Sequence, residues 1–116
     1  MTTLLLVDED RNFREALAIA LRLDGCAVAV AGSAAEARAA AGLGPFDLWV
    51  VDLRVADAEA LLGEALAGPG RVVLTGPHAD LLAHAARRFP GAAVVVKPFG
   101  APALLDLLEP LGLQAS

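Results

Sequence analysis

Short apolar runs alternate with amphipathic segments along the whole chain. Between the runs, apolar residues such as Phe13, Leu17 and Leu21 recur at the spacing of a helix that packs one face on a sheet. Strands that alternate with helices predict an α/β fold with a doubly wound parallel sheet. The runs predicted as strands are Leu4–Val7, Val28–Val30, Leu48–Val51, Val72–Leu74 and Val94–Val96.

Capping residues mark where the predicted helices begin and end. Asp10 is a suitable N-cap for the first helix, and the segment from Ser33 to Glu36 has the sequence of a capping box that opens the second. The third is predicted over 58–67, because Gly68-Pro69-Gly70 is a strong stop signal. Pro102 suits the first turn of a fifth helix.

Four of the apolar runs end on a residue that can hold a phosphoryl group or a cation. Asp8 and Glu9 follow the first run, while Asp52, Thr75 and Lys97 follow later ones. Because the carboxyl ends of parallel strands lie along one edge of a sheet, these side chains are predicted to converge on one crevice.

The residue types in this crevice predict phosphoryl chemistry. Asp8, Glu9 and Asp52 form a carboxylate cluster that needs a nearby cation, and hard oxygen ligands suit Mg²⁺. Asp52 can attack phosphorus to give an aspartyl phosphate. Lys97 would offset the added charge, and the Thr75 hydroxyl would donate a hydrogen bond to a phosphoryl oxygen.

Composition restricts the class of protein. The 116 residues, 57% of them hydrophobic, suit a single domain, residues 1–116, with a real core. A net charge of -5 argues against a nucleic-acid surface. Cys26 is the only cysteine, and no apolar run has the length of a membrane span or a signal peptide. The chain is therefore expected to be cytoplasmic, with no membrane partner.

Taken in order along the chain, these residues resemble the response-regulator receiver domain of two-component signalling. The resemblance covers the whole chain and implies a flavodoxin-like sheet of strand order 2-1-3-4-5 with a shortened third helix region. It implies that a sensor histidine kinase or a phosphotransfer protein donates a phosphoryl group to Asp52. The implied metal ligands for Mg²⁺ are Asp8, Glu9, Asp52 and the carbonyl of Arg54, and the implied phosphate contacts are Thr75 and Lys97.

The same resemblance implies further properties of the chain. It implies a cis peptide bond between Lys97 and Pro98. It implies a signalling domain, a monomer or weak dimer that binds an unnamed downstream protein after phosphorylation. Such a domain is not an enzyme, beyond phosphorylating and slowly dephosphorylating itself.

Departures from the family pattern leave two other hypotheses open. The loop from Arg54 to Ala58 lacks the usual Met-Pro and Asp-Gly signatures, and Val94 stands where the family has a switch aromatic. Both departures suit a pseudo-receiver, a binding module that signals without phosphate. A haloacid-dehalogenase-like phosphohydrolase would use Asp8 as nucleophile, but only the separated Asp106 and Glu109 follow the lysine.

Overall fold

A computed structural model describes residues 1–114 of the chain as one five-stranded parallel sheet with helices on both faces. The strand order is β2-β1-β3-β4-β5, which confirms the predicted fold and order. All neighbouring strands pair in parallel. The strands are β1 (Thr3–Val7), β2 (Ala27–Ala31), β3 (Leu48–Asp52), β4 (Arg71–Gly76) and β5 (Ala92–Val96).

Five helices connect and follow the strands. The third begins and ends as predicted, and its link to β4 is only the Gly68-Pro69-Gly70 segment. No helix within residues 1–114 is long and apolar enough to cross a bilayer. The helices are α1 (Arg11–Leu23), α2 (Ala34–Ala41), α3 (Ala58–Ala67), α4 (Ala79–Arg88) and α5 (Ala101–Leu108).

The sheet buries a separate core on each face. Side chains alternate along a strand, so Leu4 and Leu6 face one side while Leu5 and Val7 face the other. The first pair packs with α1 and α5, and the second with α2, α3 and α4. Both cores are apolar, and the polar side chains that share the α1/α5 face lie where the strands end.

The helix caps confirm most of the sequence pattern and correct one part of it. The Asp10 carboxylate accepts a hydrogen bond from the Phe13 backbone N–H at 3.1 Å, as an N-cap should. Ser33 Oγ likewise accepts from the Glu36 N–H. The returning bond of the expected capping box, however, lies one residue earlier, because Glu36 Oε1 accepts from the Gly32 N–H at 3.0 Å.

Candidate functional site

The register of the sheet places the predicted site residues together at its carboxyl edge. Asp52 at the end of β3 is paired directly with Thr75 of β4, and Val7, just before Asp8, is paired with Val51. Asp8 and Asp52 each follow a residue of the α1/α5 core at a spacing of two, so they point to the same face. Asp8, Asp52 and Thr75 are all buried.

Lys97 joins the two buried carboxylates. Its Nζ lies 2.5 Å from Asp8 Oδ2 and 2.6 Å from Asp52 Oδ2. The ammonium also sits 4.1 Å from the centre of the Phe13 ring, which shields it with an apolar face that favours a cation. The peptide bond between Lys97 and Pro98 is cis, as the family resemblance implied. One protein cation therefore stands between two carboxylates inside the crevice.

Arg54 covers the outer side of Asp52. Its backbone N–H donates to Asp52 Oδ1 at 2.7 Å, its Nε donates to the same oxygen at 3.3 Å, and its Nη2 donates to Oδ2 at 3.1 Å. Asp52 is completely buried, whereas 45% of the Arg54 side chain remains exposed. Both oxygens of Asp52 are thus engaged by donors, and the outermost of these donors belongs to a side chain that can move into solvent.

The two carboxyl groups differ in their proton affinity. Burial raises the pKa of Asp8 above its ordinary value, and the hydrogen bonds from Lys97 and from the Asp10 N–H offset only part of that effect. Burial also acts to raise the pKa of Asp52, but hydrogen bonds from Arg54 and Lys97 outweigh it, so this pKa lies below its ordinary value. Asp52 therefore gives up its proton more readily than Asp8 does.

The turn after β1 is built around the Asp8 carboxylate and Arg14. Asp8 Oδ1 accepts from the Asp10 N–H at 2.9 Å, and the Asp8 N–H donates to the Ala31 carbonyl at 3.0 Å. Arg14 Nη1 donates to the carbonyl of Asp8 at 3.1 Å and to that of Glu9 at 3.5 Å. Glu9 itself is exposed.

Arg14 is the site residue that the sequence pattern missed. It lies four residues before Ala18 and seven before Leu21, both of which are buried on the inner face of α1. A basic residue on the same face of a helix as two buried residues indicates a buried polar contact, and a pattern based on apolar residues alone does not detect it. Its long side chain reaches back to the turn instead of packing into the core.

The donor set fits a hydrated Mg²⁺ better than a fully enclosed ion. Within residues 1–114, the carboxylates of Asp8 and Asp52 both contact the Lys97 ammonium, and no group of three His, Cys, Asp or Glu side chains is placed to hold a metal. Mg²⁺ is usually held by one or two carboxylates and keeps several waters. The Arg54 carbonyl and the exposed Glu9 are the remaining predicted ligands.

Asp106, Glu109 and Val94, which also bear on the two other hypotheses, make none of these contacts. Asp106 and Glu109 are exposed, on α5 and just after its end. Val94 is 36% exposed on the edge strand β5, where the family has an aromatic. His78 is exposed and borders a hollow of about 80 Å³ that Arg54 also lines.

The chain is similar in sequence and in fold to known receiver proteins. A response regulator receiver protein of Anaeromyxobacter sp. (strain Fw109-5) is 38% identical over 112 residues, which cover 92% of this chain and 47% of that protein. The chain thus spans about half the length of that relative. The chain belongs to the receiver domains of response regulators. No family model matches it.

Two solved structures share this receiver fold over nearly the whole chain. A CheY-like receiver domain protein from Methanospirillum hungatei JF-1 has a TM-score of 0.83 and 25% identity, over 97% of this chain and 94% of that one. The response regulator TrrA from Thermotoga maritima, solved in complex with Mg²⁺ and BeF, has a TM-score of 0.81 and 23% identity, over 96% and 99%. The chain therefore shares its fold with these two proteins over nearly its whole length.

Proposed function

We propose that this receiver domain accepts a phosphoryl group on Asp52 from a phosphohistidine of a sensor histidine kinase or phosphotransfer protein. An Asp52 oxygen attacks phosphorus, the bond from phosphorus to the histidine nitrogen breaks, and the electron pair stays on that nitrogen. The products are an aspartyl phosphate and an unphosphorylated histidine. The observation that carries this proposal is the completely buried Asp52, held ionised beside the Lys97 ammonium.

The neighbouring side chains support the same chemistry. Lys97 already lies 2.6 Å from Asp52 and would offset the charge that the phosphoryl group brings. Thr75, buried next to Asp52 in the sheet, would donate its hydroxyl hydrogen to a phosphoryl oxygen. Asp8, Glu9, Asp52 and the Arg54 carbonyl would hold Mg²⁺, which neutralises phosphoryl oxygens when bound. The complex of the Thermotoga receiver with Mg²⁺ and BeF supports this assignment.

Signalling, rather than turnover of a substrate, is the proposed outcome. The aspartyl phosphate would change the affinity for a downstream protein, and the only reactions of the domain itself would be its phosphorylation and slow dephosphorylation. We infer a cytoplasmic domain, a monomer or weak dimer, that contacts neither membrane nor nucleic acid. The free Cys26 thiol and the net charge of -5 support that inference. Residues 1–116 are proposed to form one domain.

One observation favours a pseudo-receiver as the second candidate. Arg54 and Lys97 already occupy both oxygens of Asp52, so the acceptor must lose contacts before it can react. A binding module that never exchanges phosphate would keep these contacts permanently. The two candidates differ in whether the Arg54 side chain leaves Asp52.

Incubation with a small-molecule phosphodonor separates the candidates. The protein is mixed with acetyl phosphate and Mg²⁺, and its intact mass is followed with time. A phosphoryl adduct that excess chelator prevents is expected for the receiver. Unchanged mass at every Mg²⁺ concentration would favour the pseudo-receiver, while continuous release of inorganic phosphate without an adduct would favour a phosphohydrolase.

A further inference from the structure

The Arg14 guanidinium is packed between the turn after β1 and Gly32, the first residue after β2. One side of it contacts Gly32, where an added Cβ would meet Nη1 at 3.2 Å and Cζ at 3.4 Å. Its Nη1 donates to the carbonyls of Asp8 and Glu9. Its Nε is buried and has no hydrogen-bond partner. Arg14 thus leaves its Nε without a hydrogen bond in the position from which its Nη1 donates to these two carbonyls.

These contacts fix the peptide that carries the acidic pair. The Asp8 carboxylate is held at Oδ1 by the Asp10 N–H and at Oδ2 by Lys97, and Arg14 holds the backbone on the carboxyl side of the same residue. Without Arg14, the two carbonyls would lose the donor that α1 supplies. The turn would then be held only by the Asp10 N–H and Lys97 on the Asp8 carboxylate and by the bond from the Asp8 N–H to Ala31.

We propose that Arg14 is a positioning residue for the acidic turn, and that it sets the geometry in which Asp8 and Glu9 meet a divalent cation. The expected effect of Arg14 on Mg²⁺ binding rests on the proposed function. The effect of Arg14 on the order of the turn in the metal-free protein does not. Groups that orient metal ligands typically change metal affinity by about 10–100-fold when removed. The hydrogen bonds of Arg14 go to the turn after β1 and not to Asp52 or Lys97.

The test compares Arg14→Met with Arg11→Met. Methionine keeps much of the apolar stem of arginine but cannot donate, and Arg11 lies on the same helix with its side chain 78% exposed. In Arg14→Met we expect faster exchange of the Asp10 amide proton in the metal-free protein, and Mg²⁺ affinity at least about tenfold weaker by NMR titration. Arg11→Met should match the wild type in both. An unchanged Asp10 amide in Arg14→Met would overturn the proposal.

A second pair of variants serves if Arg14→Met does not fold. Gly32→Ala pushes the guanidinium by a few tenths of an ångström, whereas Gly63→Ala places its Cβ in open space on α3. The proposal requires Gly32→Ala to shift the Asp8, Glu9 and Asp10 amide resonances and to weaken Mg²⁺ binding, with neither change in Gly63→Ala. Equal behaviour of the two alanine variants would overturn it.

The design separates this inference from the proposed function. If the wild-type protein binds no Mg²⁺, the proposed metal site fails, and the metal-free exchange of the Asp10 amide alone decides the role of Arg14. If Mg²⁺ binds with equal affinity in wild type and Arg14→Met while Asp10 exchange is unchanged, the metal site stands and the positioning role fails.

Discussion

The turns after β1 and β3 each follow a buried strand with a carboxylate at its end, but they hold that carboxylate differently. The first turn is fixed through its backbone, by Arg14 on the Asp8 carbonyl and by the Asp10 cap on α1. The loop after β3 is held mainly through Asp52, by the backbone and the half-exposed side chain of Arg54. It then reaches α3 through Asp57, which has a positive φ of 68° and makes no side-chain cap.

The difference between the two turns suits a metal ligand at Asp8 and a reacting carboxylate at Asp52. A carboxylate that serves as a metal ligand gains from a rigid turn, because the ion requires a fixed geometry. A carboxylate that reacts must release the groups covering it and accept a bulky phosphoryl group. The opposite pKa shifts of Asp8 and Asp52 fit this division, since the second stays ionised for attack.

The largest effect should come from exchanging each carboxylate for its amide. Asp52→Asn removes the attacking oxygen, so intact mass should show no phosphoryl adduct at any Mg²⁺ concentration. Asp8→Asn keeps the acceptor and removes one proposed ligand, so the adduct should still form but require at least about tenfold more Mg²⁺. An adduct in Asp52→Asn, or none in Asp8→Asn at saturating Mg²⁺, would show that the two roles are assigned wrongly.

The same two variants should change stability in opposite directions. Asp52 has a lowered pKa, so its ionised form stabilises the fold above its unfolded pKa of about 3.9, and Asp52→Asn should lose about 1.5–3 kcal/mol at pH 7. Asp8 has a raised pKa, so ionising it costs stability at pH 7. Since Lys97 would keep Asp52 as its partner, Asp8→Asn should be more stable than the wild type at pH 7.

Urea unfolding of the three proteins between pH 7 and pH 3 checks these signs. The advantage of Asp8→Asn should disappear as the pH falls through the raised pKa of Asp8. The deficit of Asp52→Asn should persist to lower pH and shrink only below about pH 3.9. A metal-free Asp8→Asn protein that is less stable than wild type at pH 7 would mean that Asp8 is stabilised by its ion pair more than it is penalised by burial.

A smaller effect is expected from uncovering the acceptor. Arg54 donates to both oxygens of Asp52 in the unphosphorylated protein, and it can shield an aspartyl phosphate from attacking water. Arg54→Ala should hasten decay of the phosphorylated form about fivefold, the rate equivalent of one hydrogen bond of about 1 kcal/mol. Decay is followed by intact mass, with the exposed Arg11→Ala as control. Equal decay rates in Arg54→Ala and wild type would remove Arg54 from this role.

The smallest predicted effect concerns the backbone of the loop after β3. Asp57→Gly and Asp57→Ala both remove the exposed ion pair with Arg38, so their difference isolates the cost of the positive φ. Glycine adopts this conformation freely and alanine does not, so Asp57→Gly should be more stable than Asp57→Ala by about 1 kcal/mol in urea unfolding. Two variants of equal stability would imply that the loop relaxes to an ordinary conformation.

Much of the fold could be predicted from the sequence because its signals are local. The strand runs, the Asp10 cap and the stop at Gly68 depend on neighbouring residues, and the convergence of Asp8, Asp52 and Lys97 follows once the strands are parallel. Contacts between distant segments could not be predicted in this way. The packing of Arg14 against Gly32 is an example, because nothing near Arg14 in the sequence indicates the glycine it will meet.

The loop after β3 shows a second limit. Its departure from the family pattern was visible in the sequence, but the positive φ at Asp57 was not, since an aspartate gives a weaker signal for that conformation than a glycine. The exposure of Glu9 was also not predicted. An acidic residue after a strand is equally compatible with facing a metal or facing water.

The bridge made by Lys97 also links formation of the crevice to the docking of one strand. Asp8 and Lys97 are 89 residues apart in sequence, and β5, which precedes Lys97, is the last of the five described strands. In a partly folded chain in which β1 and β3 had paired before β5 docked, the two strand-end carboxylates would lie near each other without this ammonium and would repel. Docking of β5 onto β4 would relieve that repulsion, so we expect Lys97 to neutralise the crevice only in chains whose β5 is in place.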